Sequence, residues 1–200
     1  MLLLLHIAAD STMAQPSPPF AVACIAGEMR LQAMDFWLRN PDYLAWELLD
    51  QAEAGGGSFL VAEAARILSE KEEPDLRTVP MLRWRHGAWE SLDDRLSLLA
   101  AYGLASDIRR GEQLAGRRDF YLLSDGRSAA GNLLAQLPDL CWYEDRARLV
   151  GLVAGDAGGD ELKARQKQVW EYRETRWTNR IAGIRPKVMK RLSALTEVAP

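Results

Sequence analysis

Arginine side chains that could bind phosphate groups flank one short loop bounded by glycines. Arg109 and Arg110 precede this loop, which runs from residue 111 to residue 116, and Arg117 and Arg118 follow it. Guanidinium groups at the tip of a hairpin can contact DNA phosphates or enter a narrow minor groove. Basic residues before position 87 could add contacts to the DNA backbone. The predicted DNA-binding set is Arg83, Arg85, His86, Arg109, Arg110, Arg117 and Arg118.

A second interpretation of the same loop needs no DNA. Asp107, Glu112 and Asp119 lie close to these arginines along the chain, and a solvated charged loop can pair its arginines with neighbouring carboxylates. The two interpretations differ in whether the guanidinium groups are free to bind phosphates or already paired within the protein. The residue pattern leaves both open.

Groups that could catalyse a reaction or hold a metal ion are scarce. His86 stands without a nucleophile motif such as Gly-x-Ser-x-Gly, and the glycine run at 55–57 lacks the lysine of a phosphate-binding loop. Cys24, Cys141 and His6 have no spacing that suits zinc. Two buried thiols in a reducing compartment are the expectation for such cysteines. The sequence therefore predicts a protein that is not an enzyme and binds no metal and no cofactor.

Seven tryptophans are many for a chain of 200 residues. Most of them, such as Trp37 and Trp46, occur at helical spacings and are expected in the core or in a dimer interface. Trp84 and Trp89 instead bracket the short basic segment at 85–86, where an amphipathic ring suits an exposed contact or a pocket. These two tryptophans are the predicted exception.

Composition predicts a folded chain with an uneven distribution of charge. Hydrophobic residues make up 48% of the sequence and charged residues 26%, with a formal net charge of −3, so a packed core is expected. Residues 1–75 contain 12 acidic and 4 basic residues, whereas residues 151–200 contain 6 and 10. An acidic first third suits docking to a basic partner.

The apolar start at residues 1–9 resembles a signal peptide but has no basic residue before its apolar run. No segment approaches the about 18 apolar residues that cross a bilayer. The alternatives are a short buried strand or translation from Met13, and both predict a cytoplasmic protein that does not enter a membrane.

Periodicity and turn residues predict a mainly α chain with one small β-hairpin. Apolar spacings of three and four residues predict helices, and glycine or proline marks their ends. Residues 104–108 and 119–123 are predicted to form the two arms of the hairpin. Residues 76–87 have mixed periodicity and receive no assignment. The predicted helices are 27–39, 42–54, 58–71, 91–102, 127–137, a stretch from 138 to 153, and one long helix at 160–195.

The order helix, helix, helix, hairpin, helix follows the winged-helix plan, with residues of about 58–135 as its best-defined part. Leu96-x-x-Leu99-x-x-Tyr102-Gly103-Leu104 leads into the hairpin, and Tyr121-Leu122-Leu123-Ser124-Asp125-Gly126 leads out of it. Gly103 is predicted to end the helix in the left-handed conformation that glycine favours there. These motifs resemble those of winged helix-turn-helix regulators of the MarR and PadR kind, although the link from 71 to 91 is longer than that family's usual turn. The resemblance implies a dimeric transcriptional regulator that binds double-stranded DNA.

On this plan the chain has three parts. Residues 1–27 form a tail with a proline-rich tether, residues 28–137 form the winged-helix domain, and residues 138–200 form a helical arm for dimerisation. The predicted dimer interface consists of Trp170, Trp177, Ile181, Ile184 and Val188. Their spacing of seven, four, three and four residues matches the seam of a helix pair, and MarR and PadR proteins likewise dimerise through terminal helices.

The third predicted helix lacks the side chains that read DNA bases. Helical spacing places four residues inward: Leu92, Leu96, Leu99 and Tyr102. The outward face then contains Asp94, Ser97, Leu98 and Ala101. A face without arginine, lysine or amide is poorly suited to the major groove. It favours an alternative function, in which the protein is a winged-helix subunit of a multi-protein assembly and this helix contacts protein.

Overall fold

The computed structural model describes residues 1–11, 13, 15–69, 81–84, 87–111 and 116–198, which are mainly helical with small antiparallel sheets. The helices are α1 (Leu2–Ala8), α2 (Glu28–Arg39), α3 (Pro41–Gln51), α4 (Phe59–Ser69), α5 (Asp93–Ala101), α6 (Ser124–Gln136), α7 (Cys141–Ala154), α8 (Gly159–Gln166), α9 (Trp170–Glu174) and α10 (Arg185–Val198). The strands are β1 (Ala21–Ala26), β2 (Leu82–Trp84), β3 (Gly87–Trp89), β4 (Ala105–Arg110) and β5 (Arg117–Leu123). None of these helices is both long enough and apolar enough to cross a bilayer.

The chain divides into two compact units, each built from two separate segments. Unit 1 contains Met1–Asp35 and Glu90–Lys163, and unit 2 contains Phe36–Trp89 and Ala164–Pro200. These units do not coincide with the predicted boundaries at residues 27 and 137. Of the three helices assigned to the winged-helix core, α3 and α4 belong to unit 2 and α5 belongs to unit 1.

Unit 1 contains a three-stranded antiparallel sheet in the order β1-β5-β4. The predicted hairpin is confirmed, because β4 pairs with β5 so that Ser106 faces Tyr121 and Ile108 faces Asp119. Strand β1 lies in a segment predicted to be a tail. Its central residues are buried, and it places β5 in the middle of the sheet, with Cys24 opposite Tyr121.

The first nine residues do not form the predicted strand. Leu2–Ala8 is an α-helix that buries Leu4, Leu5 and Ala8 and packs against α7. Gly151 of α7 allows this contact, because a Cβ at that position would lie 3.3 Å from the Cβ of Ala8. Leucine and alanine are strong helix formers, and the partner that buries their apolar face comes from a distant part of the chain.

Helix α5 buries part of the predicted face and exposes part of it. Leu92 and Leu96 are buried, as predicted, whereas Tyr102 is 73% exposed and its inward placement was wrong. The helix ends at Ala101, and the backbone of Tyr102 has left helical geometry, so helical spacing no longer determines its direction. Gly103 follows with a φ of 64°, which confirms the predicted left-handed helix end.

Unit 2 is organised around an aromatic core. Phe36, Tyr43 and Tyr172 meet edge to face, with ring centroids 4.9 to 6.2 Å apart. Helices α3 and α4 pack against each other, and both contact α10. The unassigned region beyond residue 80 contains β2 and β3, which pair so that Leu82 faces Trp89.

The predicted long helix at 160–195 was wrong. Three shorter helices occupy this region, and the extended stretch between α9 and α10 pairs instead with β2: the Arg83 N–H donates to the Asn179 carbonyl at 2.9 Å. Pro186 stands in the first turn of α10, where its missing N–H costs nothing. In a continuous helix the backbone groups of this stretch would bond to one another. Here they form their hydrogen bonds with a strand.

The five residues of the predicted dimer interface do not lie on one continuous helix, because the chain is extended between α9 and α10. Ile181, Ile184 and Val188 are buried within unit 2, whereas Trp170 and Trp177 are exposed. Three of the five residues are therefore core residues of their own unit and do not form a seam with the other two. A homodimer stays a prediction that needs a different surface.

Candidate interaction surfaces

Arg110, predicted to bind DNA, makes several hydrogen bonds within unit 1. Its Nε donates to Oδ2 of Asp119 at 2.7 Å, and its terminal nitrogens donate to the carbonyls of Gln15 at 3.1 Å and Pro16 at 2.7 Å and to Oη of Tyr121 at 2.5 Å. The bonds to Tyr121 and Asp119 raise the pKa of Arg110. This side chain fixes the proline-rich tether to the hairpin.

Arg117 and Arg118 are also paired with carboxylates. Arg117 makes a two-point ion pair with Asp119, with N···O distances of 2.7 and 2.9 Å. Arg118 donates to Asp107 at 2.8 Å and to Asp93 at 2.7 Å. Asp119 is almost fully buried, so it is the common partner that holds two guanidinium groups of the hairpin. The interpretation in which Asp107 and Asp119 pair with these arginines is therefore confirmed, while Glu112 lies outside the described residues.

The remaining residues of the predicted DNA-binding set have different environments. Arg109 is exposed and has no ion pair with any described residue. Arg83 is buried in unit 2, where it donates to the Trp84 carbonyl at 2.7 Å and its guanidinium lies 5.4 Å from the centroid of the Tyr172 ring. Arg85 and His86 lie outside the described residues.

Three exposed apolar residues lie at one end of the sheet of unit 1: Phe20, Leu98 and Tyr102, called here the sheet-end apolar surface. Phe20 precedes β1 and is 79% exposed, and Leu98 and Tyr102, four residues apart, are 61% and 73% exposed. The Phe20 carbonyl accepts the Ser124 N–H at the end of β5. Tyr102 lies on the other side of β5, just before the chain enters β4. Sequence reasoning identified Leu98 but not Phe20, which lay in the predicted tail.

Unit 2 has an exposed face on its two-stranded sheet, formed by Leu82, Trp84 and Trp89 and called here the tryptophan face. Trp84 and Trp89 are 47% and 42% exposed, and their ring centroids lie 6.2 Å apart at an interplanar angle of 32°. The prediction that these two tryptophans are exposed is confirmed. Leu82 could be added only once the strands were known, because it lies opposite Trp89.

Buried titratable groups have structural partners. Burial raises the pKa of Asp42, whose carboxylate accepts the N–H of Ile184 at 2.5 Å and that of Tyr43 at 3.0 Å. Burial also raises the pKa of Glu47, although its ion pair with Arg165 at 2.7 Å opposes that effect. These carboxylates tie segments of unit 2 together.

The two cysteines differ in environment. Burial raises the pKa of Cys24 to about 11, which keeps it as an unreactive thiol at neutral pH. Cys141 is exposed, so the expectation of two buried thiols was wrong for this residue. Within the described part of the chain, no three histidine, cysteine, aspartate or glutamate side chains are grouped to hold a metal ion.

Comparison with models of protein families, with curated proteins and with solved structures finds no match for this chain.

Proposed function

We propose that this protein is a subunit of a multi-protein assembly and that unit 1 contacts another protein through the sheet-end apolar surface. The observation that carries the proposal is Phe20, a bulky residue held at a φ of 63° and 79% exposed. A left-handed backbone costs a residue other than glycine about 1–2 kcal/mol, and strain of this kind concentrates at functional sites. The turn closed by the Ala21 N–H on the Pro18 carbonyl sets this backbone, so the exposure of the ring is the part of the observation that points to a partner.

The chemistry around this surface suggests the kind of partner. Leu98 on α5 and Tyr102 just after the end of that helix are both large, apolar and exposed, and large exposed apolar side chains grouped together mark interaction sites. Asp93 and Asp94, at the start of the same helix, are exposed carboxylates. The surface therefore suits a protein with an apolar groove and a basic rim.

A winged-helix layout of unit 1 is part of this proposal. The order α5, β4, β5, α6 within unit 1 supports a helix that leads into a two-stranded wing and out into a further helix. The outward residues of α5 match the predicted face, since Asp94, Ser97, Leu98 and Ala101 are all exposed. Such a face supports a protein contact better than a contact with bases.

A double variant, Leu98→Asp with Tyr102→Asp, tests the proposed contact. Both residues are exposed, so we expect the variant to fold as the wild type does. Two charges in an apolar interface should lower recovery of the partner roughly ten-fold or more, because central interface residues dominate the binding free energy. Affinity purification of the tagged chain from its native cells, with quantitative mass spectrometry, measures the recovery.

Leu152→Asp is the matched control, because Leu152 is an exposed leucine on α7 of the same unit. This variant should recover the partner as the wild type does. The proposal fails if the double variant and the wild type recover the same proteins in equal amounts.

Binding of double-stranded DNA is a second candidate function, favoured by Arg109, which projects from the hairpin without an ion pair to any described residue. For a duplex bound through the wings, the logarithm of the affinity should fall with the logarithm of salt concentration at a slope of about −4. Arg109→Ala should flatten that slope by about 1, whereas Arg148→Ala, an exposed arginine of α7, should leave it unchanged. Absence of duplex binding at low salt would exclude this candidate.

A further inference from the structure

The tryptophan face is exposed because successive side chains of a strand point to opposite sides of the sheet, not because the sheet is poorly packed. Arg83 and Ala88, whose side chains point to the opposite side of the same two strands, are buried. The Ala88 N–H donates to Oη of Tyr172 at 2.6 Å. Contacts on its buried side therefore hold the sheet in place. Trp84 and Trp89 lie on the opposite, exposed side in a defined arrangement.

A third extended segment adds an arginine to this face. Leu82 forms an antiparallel bridge with Arg180, and hydrogen bonds from Arg83 to Asn179 and from Ile181 to Met81 enclose that bridge. Directly opposed residues of antiparallel strands point to the same side, so Arg180, Leu82 and Trp89 form one row across the sheet. Arg180 is exposed.

Basic residues predominate in the late segment of the chain that supplies Arg180, although Arg165, Lys187 and Arg191 pair with carboxylates. Residues 164–200 contain 9 basic and 3 acidic residues. Arg176 and Arg180 are exposed, and neither has an ion pair within the described part of the chain. The exposed Arg180, in one row with Leu82 and Trp89, and the nearby Arg176 are thus available to an anionic ligand that also has flat, apolar surfaces.

We propose that the tryptophan face, together with Arg180 and Arg176, binds single-stranded nucleic acid. Unpaired bases stack on exposed aromatic rings without regard to sequence, and arginines bind the phosphates between them. A duplex offers no such stacking, because its bases are already stacked on one another. A proline-rich peptide could pack on the tryptophans, but it would make no use of the arginines.

The site lies in unit 2 and takes a different partner from the sheet-end apolar surface of unit 1. A negative result for this site would therefore leave the proposed function unaffected, and a negative result for the proposed function would leave this site unaffected. It also differs from the duplex-binding candidate, which depends on Arg109 of the hairpin.

The test uses the full chain and a fluorescent single-stranded oligonucleotide of about 12 nucleotides, as oligo(dT) and as oligo(U), with binding followed by fluorescence anisotropy. We expect Trp84→Ala and Trp89→Ala each to weaken binding roughly ten-fold, the usual effect of losing one stacked base. Arg180→Ala should flatten the salt dependence of binding by about 0.7 on logarithmic axes.

Two controls match these variants. Phe59→Ala removes an exposed aromatic residue from α4, and Lys190→Ala removes an exposed cation from α10; both variants should bind as the wild type does. Circular dichroism should show the same fold for all variants, because every changed side chain is exposed.

Three results would overturn the inference. One is failure to bind either oligonucleotide at low salt. Another is unchanged binding by a variant that lacks both tryptophans. The third is displacement of the oligonucleotide by an equimolar proline-rich peptide, which would make the tryptophan face a peptide site.

Discussion

At the scale of single residues, the hairpin arginines illustrate how position in the fold decides the role of a charge. Arg110 and Arg117 share Asp119, a carboxylate that also accepts the Gly27 N–H at 3.1 Å. An arginine released to bind phosphate would leave part of this buried carboxylate unpaired, and an unpaired buried charge is costly. Arg109 has no such bond to a described residue; after the hydrogen bond and charge of Arg118, its charge helps to lower the pKa of Asp93.

Removal of the shared carboxylate should therefore destabilise unit 1. We expect Asp119→Ala to lower the free energy of unfolding by about 3 kcal/mol, because breaking a buried pair leaves guanidinium groups without their partner. Urea denaturation followed by tryptophan fluorescence measures the change.

Asp107→Ala is the comparison, since Asp107 pairs with Arg118 at a partly exposed position. Its loss should cost less than about 1 kcal/mol. Equal losses from the two variants would mean that Asp119 does not hold the hairpin together.

At the scale of elements, the junction of the hairpin with α6 depends on one glycine. Helix α6 begins at Ser124, three residues earlier than predicted, and its first turn lies against the chain that enters β4. A Cβ at Gly126 would lie 2.0 Å from the carbonyl oxygen of Leu104. Because that distance is far below any real contact, the helix can begin this close to the sheet only with glycine.

Two glycines of α6 should therefore respond in opposite directions to alanine. Gly126→Ala should lower the free energy of unfolding by about 2 kcal/mol through steric overlap. Gly131→Ala should raise it by about 0.5–1 kcal/mol, because nothing lies within 4 Å of the added methyl group and alanine favours a helix over glycine. Thermal and urea denaturation measure both changes, and a destabilising Gly131→Ala would contradict this explanation.

At the scale of the whole molecule, each compact unit combines an early and a late segment of the chain. Unit 1 presents apolar side chains beside carboxylates, and unit 2 presents tryptophans beside arginines. These are the two proposed interaction surfaces. One suits a basic protein and the other suits a polyanion.

Local features of the sequence determined a substantial part of this fold. The predicted helices at 27–39, 42–54 and 58–71 agree with α2, α3 and α4 to within about a turn, and the hairpin and the left-handed Gly103 were also predicted correctly. The exposure of Trp84 and Trp89 was predicted as well. These features depend on periodicity, turn residues and helix ends, which involve residues close together in the chain.

Only the tertiary structure decided the features that depend on distant partners. Strand β1 exists because β5 is available to pair with it, and residues 1–9 are helical because α7 covers their apolar face. Thr178–Ile181 is not helical, contrary to the prediction, because its backbone groups form hydrogen bonds with the chain at β2. Arg110, Arg117 and Arg118 of the hairpin pair with carboxylates of the protein for the same physical reason. Hydrogen bonding and desolvation depend on which groups meet in space, and spacing along the chain does not specify those encounters.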